Sequence, residues 1–324
     1  MKIVLLWLWR LAVGCLVIVL VLVAIFWKND LSKDYLRGKY AAPPSAFMTM
    51  QGMEVHYRSE GNPNDSLPIV LLHGTGASLH TWDGWAAALA PERRVVRLDL
   101  PAYGLTGASP TGNYSINAYV AFLNEFLNRL HIRRCVLGGN SLGGSIAWNY
   151  ALQHPEQIAA LILVDAGGYP ANQATPRQPP LAFQLATIPI VKNLFRYVLP
   201  RFVIEKSIAN VYGNPAHISQ QLVDRYYELS LHPSNRRAFI DRMKKGTQPT
   251  DTLLIKQLNV PTLVMWGGRD RLIPVECAYK FQRDLPNDTL VIFHELGHVP
   301  MEESPEQTVQ AVQYFLNTLH KAAF

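Results

Sequence analysis

The sequence predicts an α/β fold: a mainly parallel, doubly wound sheet with helices on both faces, a helical insertion late in the chain and an apolar helix at its start. Three observations carry that reading. Short Val-, Leu- and Ile-rich runs without polar alternation are separated by segments of helical period, the pattern of a parallel sheet covered on both faces. Residues 170–250 interrupt this alternation with several prolines and helix-like apolar patches. Leu11–Trp27 is a continuous apolar run of 17 residues.

Composition narrows the function classes. With 49% hydrophobic and 17% charged residues in 324, the chain is not disordered. Three cysteines give neither a disulfide scaffold nor a metal-knuckle spacing, so no metal is expected. The formal charge is +6, but residues 1–40 hold six cations (Lys2, Arg10, Lys28, Lys33, Arg37, Lys39) against Asp30 and Asp34. The remainder is nearly balanced, which argues against a nucleic-acid partner, since phosphate binding needs clustered Lys and Arg.

Taken in order, the apolar run comes first. Seventeen residues at 1.5 Å each span roughly 25 Å, and Ile3–Trp9 lengthens the stretch if Arg10 snorkels. Trp7, Trp9 and Trp27 stand where interfacial aromatics belong. A cleaved signal peptide would want small residues after the run, and Phe26-Trp27-Lys28-Asn29-Asp30 offers none. Ala12-Val13-Gly14-Cys15 loosely resembles a lipoprotein box, but the apolar run continues well past Cys15. Residues 1–28 are therefore read as an uncleaved single-pass anchor in membrane lipid, and 29–46 as a polar juxtamembrane linker ending in Pro43-Pro44. Cations flank the run on both sides and set no orientation.

Strands are expected at 47–50 and 53–58, turning at Gln51-Gly52, then at Ile69–Leu72, Val95–Leu98, Cys135–Leu137, Ala160–Val164, Thr262–Trp266 and Leu290–Phe293. Between them, 115–130 carries Tyr119, Phe122, Phe126 and Leu130 on one helical face. These elements make a core of 47–169 and 251–324. The insertion 170–250 is read as a packed helical cap, because Phe183, Leu185, Ile190, Leu194, Phe195 and Tyr197 can build a small core of their own.

Chemistry concentrates in one strand-turn-helix motif. Gly139-Asn140-Ser141-Leu142-Gly143 has the form G-x-S-x-G, between the strand at 135–137 and the apolar helix Ile146–Leu152. A nucleophile on so sharp a turn needs glycines where side chains would meet neighbouring backbone. A serine hydroxyl also needs a base. His298 lies on the loop after the last strand and Asp270 on the loop after the preceding one, both at carboxyl ends of parallel strands, where open α/β sheets place their sites. The order Ser141, Asp270, His298 fits a triad in which Asp270 fixes the tautomer of His298. His294, directly after the strand, reads as structural, as does Asp99; Asp165, also ending a strand, is the alternative acid. Cys135 within a strand reads as a small hydrophobe, and neither it nor Cys277 has a cysteine-protease context. Oxyanion donors are expected from the backbone N–H of Leu142 and of Thr75, in His73-Gly74-Thr75-Gly76, with His73 bracing the loop.

Five ordered motifs, His73-Gly74-Thr75-Gly76, Asp99-Leu100-Pro101-Ala102-Tyr103-Gly104-Leu105-Thr106, Gly139-Asn140-Ser141-Leu142-Gly143-Gly144, Trp266-Gly267-Gly268-Arg269-Asp270 and Gly297-His298-Val299-Pro300, resemble the α/β-hydrolase superfamily over about residues 47–320. The resemblance is nearest to the branch of monoacylglycerol-lipase-like esterases and meta-cleavage-product C–C hydrolases. It implies an eight-stranded core, a cap between strands six and seven, and no cofactor. Ala102-Tyr103 departs from the Gly-His common there, off the triad. Serine at the elbow argues against epoxide hydrolases and haloalkane dehalogenases. The expected activity is hydrolysis of a small-molecule ester, with apolar acyl groups suggested by the cap and the tether. C–C hydrolysis of a vinylogous diketone is the alternative, and a silent binding protein on the same fold is disfavoured because all three triad members are present.

Overall fold

The computed structural model describes residues 2–170, 178–244 and 252–322. Among them, eight strands form one sheet: β1 (Ser45–Met50), β2 (Met53–Glu60), β3 (Ile69–Leu72), β4 (Val95–Leu98), β5 (Cys135–Asn140), β6 (Ile158–Val164), β7 (Thr262–Gly267) and β8 (Asp288–Phe293). Their spatial order is β1-β2-β4-β3-β5-β6-β7-β8. β2 pairs antiparallel with β1 and with β4, and the other neighbours are parallel, as the unalternated apolar runs predict. Successive strand residues enter opposite cores. Val70, Leu72, Leu137, Leu161 and Leu163 join one cluster with the helices Ile116–Arg129, Leu142–Gln153 and Glu276–Asp284. Ile69, Leu71, Val136, Ile162 and Val164 join the other, with Asp83–Leu89 and Pro305–Ala322.

Register aligns the strand ends that matter. Leu72 pairs Gly139, Asn140 pairs Val164, Val164 pairs Met265 and Gly267 pairs Phe293. The loops after β3, β5, β6, β7 and β8 therefore emerge at one edge. Chain order reverses between β3 and β5, which is where an open sheet leaves a crevice.

Between β6 and β7 lie the helices Leu181–Thr187, Pro189–Leu194, Arg201–Val211, Gln220–Ser230 and Asn235–Lys244. Ala182, Phe195, Leu199, Val203, Leu231 and Ile240 form a separate apolar cluster there, with Phe183 and Leu185 packed against it. Tyr197, expected in this core, instead faces outward at 49% exposure. The side chain of Ile190 and residues 171–177 and 245–251 lie outside the described residues.

The N-terminal helix runs from Lys2 to Phe26 with no buried residue, and its 25 residues extend about 37 Å at 1.5 Å each. It is long and apolar enough to cross a membrane. The stretch 29–46, read from its polarity as a linker, differs from that expectation. It holds the helix Lys33–Tyr40, opened by Ser32 accepting the Tyr35 N–H, and then the start of β1. Leu36 on that helix is fully buried with Leu105 and Leu229, and Leu31, Tyr40 and Ala41 pack against that cluster, which seats the segment on the body.

Candidate active site

Ser141 sits at the turn from β5 into the helix Leu142–Gln153 with φ 54° and ψ −111°. A positive φ costs a non-glycine residue on the order of 1–3 kcal/mol, so the surroundings must hold it. They do: the Ser141 N–H donates to the Val164 carbonyl (3.1 Å), and its own carbonyl accepts from Ser145 and Gly167 (3.0 Å each). The flanking glycines are obligatory. A Cβ on Gly139 would lie 2.3 Å from the Gly143 carbonyl, and one on Gly143 would lie 2.1 Å from the Leu72 oxygen.

His298 and Asp270 meet at the neighbouring strand ends. His298 Nδ1 bonds Asp270 Oδ2 at 2.6 Å, and both residues are buried. Asp270 Oδ1 accepts the N–H groups of Leu272 (2.7 Å) and Ile273 (3.0 Å), which fixes the carboxyl in its loop. Ser141 and His298 line one cavity of about 120 Å³, together with Gly74, Thr75, Phe183 and Leu199. The Leu142 N–H belongs to the first turn of its helix, where donors have no intrahelical partner. Leu142 and the Thr75 loop thus flank Ser141 from two elements.

Other sequence candidates fall elsewhere. His294 is exposed. His73 is fully buried, with Nδ1 against the Gly74 carbonyl (2.7 Å) and Nε2 accepting the Leu100 N–H (3.0 Å). Burial holds its ring below the ordinary pKa, so it braces the loop as a neutral imidazole. Asp99 accepts the N–H groups of Leu79 and Leu105 and pairs with His56 at 2.7 Å. Burial alone would raise it, but the His56 ring holds the carboxyl well below the usual range. Cys135 is buried, which pushes its thiol up to about 12.

Asp165 lies behind the pair. It is fully buried, accepts the Gly267 N–H at 2.9 Å, and has a carboxyl oxygen within 4.8 Å of a carboxyl oxygen of Asp270 and of a ring nitrogen of His298. Two buried carboxylates this close cannot both carry charge. Three donors converge on Asp270 and one on Asp165, so the proton of the pair resides on Asp165. Burial first, and the Asp270 charge second, push Asp165 well above the ordinary carboxyl range.

Two residues that sequence reasoning did not single out hold the loops together. Asn140 Nδ2 donates to the carbonyls of His298 (2.9 Å) and Val164 (3.2 Å), tying the elbow to the histidine loop. Glu303, buried, accepts the N–H groups of Gly297 (2.8 Å), Gly213 (2.9 Å) and Asn214 (2.7 Å), tying that loop to the helical segment between β6 and β7. Neither has a local signature, because their partners lie far away in sequence or are backbone groups. Only the identity of Asn140 as the residue before the elbow serine could have drawn attention to it.

Residues 68–305 match the model of a family described by its alpha/beta hydrolase fold. The chain is 26% identical over 276 residues to the uncharacterized hydrolase YugF of Bacillus subtilis, covering 85% of this chain and 99% of that one. It is 26% identical over 274 residues to a 2-hydroxy-6-oxo-2,4-heptadienoate hydrolase of Pseudomonas putida, covering 82% and 93%. Among solved structures, a membrane phospholipase A described as a bacterial virulence factor matches with a TM-score of 0.71 at 26% identity, over 99% of both chains.

Proposed function

This chain belongs to the alpha/beta hydrolase fold family, and we propose that it is a membrane-anchored serine hydrolase that cleaves carboxylic esters through an acyl-enzyme intermediate. The observation that carries the reading is the 2.6 Å bond between His298 Nδ1 and Asp270, with Ser141 and His298 on the wall of one cavity. With Nδ1 occupied, Nε2 is left to take a proton. Ser141 Oγ attacks the ester carbonyl and its proton passes to His298 Nε2. The Leu142 and Thr75 N–H groups receive the oxyanion. Collapse of the tetrahedral intermediate breaks the bond to the alkoxy group, which takes the proton from His298 and leaves as the alcohol. Water then attacks the acyl-Ser141, with His298 accepting its proton and returning it to Oγ.

Phe183, Phe195, Leu199 and Ile204 on the cavity wall support an apolar acyl group, and the helix Lys2–Phe26 supports the anchor. A second reading, C–C hydrolysis of a vinylogous diketone by the same triad, is favoured by the similarity to the Pseudomonas putida enzyme. Comparing p-nitrophenyl esters with a ring-fission diketone separates the two. The ester reading expects faster turnover of medium-chain esters and its loss in Ser141→Ala; turnover of the diketone alone would overturn it.

A further inference from the structure

The foot of the N-terminal helix is fastened to the cap, and to one part of it. Trp27 forms a β-bridge with Val198 and stacks on Tyr197 at 5.0 Å. The Lys28 N–H donates to the Tyr197 carbonyl (2.8 Å), and Phe26 packs edge-on to Phe202 at 6.2 Å. Arg236 closes the seam, donating to the Lys28 carbonyl and to Asp30, each at 2.7 Å. If the helix spans a bilayer to Phe26, the cap residues touching Phe26 and Trp27 stand at that bilayer's surface.

Those residues have the composition such a surface selects. Ile188, Tyr197 and Phe202 are each 45–49% exposed within one stretch of chain, and Tyr197 and Phe202 touch Trp27 and Phe26 at the foot of the helix. Residues 181–206 carry Lys192, Arg196, Arg201 and Lys206 against Glu205; Arg201 pairs with Glu205 and Asp224, and Arg196 lies 3.8 Å from Asp241, which leaves Lys192 and Lys206 as the cations offered to a surface. Apolar and aromatic side chains interleaved with cations suit the headgroup–acyl boundary of an anionic bilayer. The opposite side of the same segment lines the cavity through Phe195, Leu199 and Ile204. One layer of chain therefore separates the candidate active site from the foot of the anchor.

We infer that the cap segment 188–206 is seated in the surface of the bilayer that the N-terminal helix crosses, so that the cavity takes esters whose acyl chains reside in that bilayer. The inference rests on the anchored-esterase reading and names its substrate class. Docking on the membrane keeps the segment's apolar side chains out of water and presents Lys192 and Lys206 to acidic lipid.

The test uses the full chain in phosphatidylcholine vesicles with and without phosphatidylglycerol. A bimane label is placed by Ile188→Cys in a Cys15→Ser background, the other cysteines being buried. Tyr314→Cys, on the terminal helix at 72% exposure, is the reference. Quenching by nitroxide lipid at 188 and not at 314 is expected; none at 188, or equal quenching at both, overturns the inference. In parallel, Lys192→Glu with Lys206→Glu should slow hydrolysis of a long-chain ester held in anionic vesicles about tenfold and leave p-nitrophenyl acetate unchanged. Equal rates on vesicle ester would overturn it, and if the soluble ester is also lost the quenching result alone decides. Failures of the underlying reading look different: wild-type protein inert on every ester sinks the esterase, and release by alkaline carbonate sinks the anchor.

Discussion

Replacing Asp270 with Asn changes one atom and reverses one hydrogen bond. Asp270 Oδ1 already accepts two backbone N–H groups, from Leu272 and Ile273, and an amide oxygen must stay there, because an NH2 would face two donors. The amide nitrogen is thereby turned toward His298 Nδ1, where the carboxylate oxygen sits at 2.6 Å. Nδ1 must then accept, which moves the ring proton to Nε2 and leaves nothing to take the proton of Ser141. A wrong tautomer of this kind costs about 10⁴ in kcat, or about 5 kcal/mol of transition-state stabilisation at ~1.36 kcal/mol per decade. The assay is steady-state hydrolysis of p-nitrophenyl butyrate at protein concentrations matched by absorbance, and KM should change little. A loss smaller than about tenfold would refute the argument. It would mean that Asp165 or solvent serves His298 in place of Asp270.

The groups around that pair set stability and its pH dependence. Asp165→Asn keeps an oxygen for the Gly267 N–H while removing an acid that the fold forces to stay protonated. The native state binds that proton more tightly than the unfolded chain, so wild-type stability falls as pH rises above the ordinary carboxyl range; thermal melts should show the variant gaining more at pH 8 than at pH 5, and an equal difference at both would contradict this. Burial holds His80 down to about 4, so its contribution is complete above its ordinary 6.5 and is lost as pH falls from there toward 4. This is worth roughly 3 kcal/mol, and urea titrations of His80→Gln should show a correspondingly flatter pH dependence. Glu303→Gln sets an amide against three backbone donors, so it should cost about 2–3 kcal/mol in urea unfolding and lower kcat through the loosened His298 loop. Wild-type stability and kcat in that variant would contradict the role given to Glu303.

The parts of the fold legible in sequence are those whose signals are local. β3 and β4 lie at Ile69–Leu72 and Val95–Leu98, as their apolar runs predict, because strands buried on both faces admit little but Val, Leu and Ile. β5 runs three residues past the expected Leu137, through Gly138, Gly139 and Asn140, and the next helix begins at Leu142 instead of Ile146. A glycine run reads as a turn, yet pairing with β3 and β6 on either side and the tight approach of Leu72 to Gly143 require it in ordered structure. Ser141, Asp270 and His298 could be picked out as candidates because each follows a recognisable strand. Asn140 and Glu303 could not, since their roles depend on carbonyls and N–H groups that only the folded chain brings near. The helix Lys33–Tyr40 was hidden by its polarity, with Leu36 alone marking a buried face.

The reactivity of Ser141 decides most directly whether the proposed chemistry holds. Treating the full chain with a fluorophosphonate and mapping the adduct by peptide mass spectrometry should place one modification on the peptide containing Ser141. The adduct should be absent in Ser141→Ala and strongly slowed in His298→Ala. An adduct on another residue, or undiminished labelling of Ser141→Ala, would contradict the assignment.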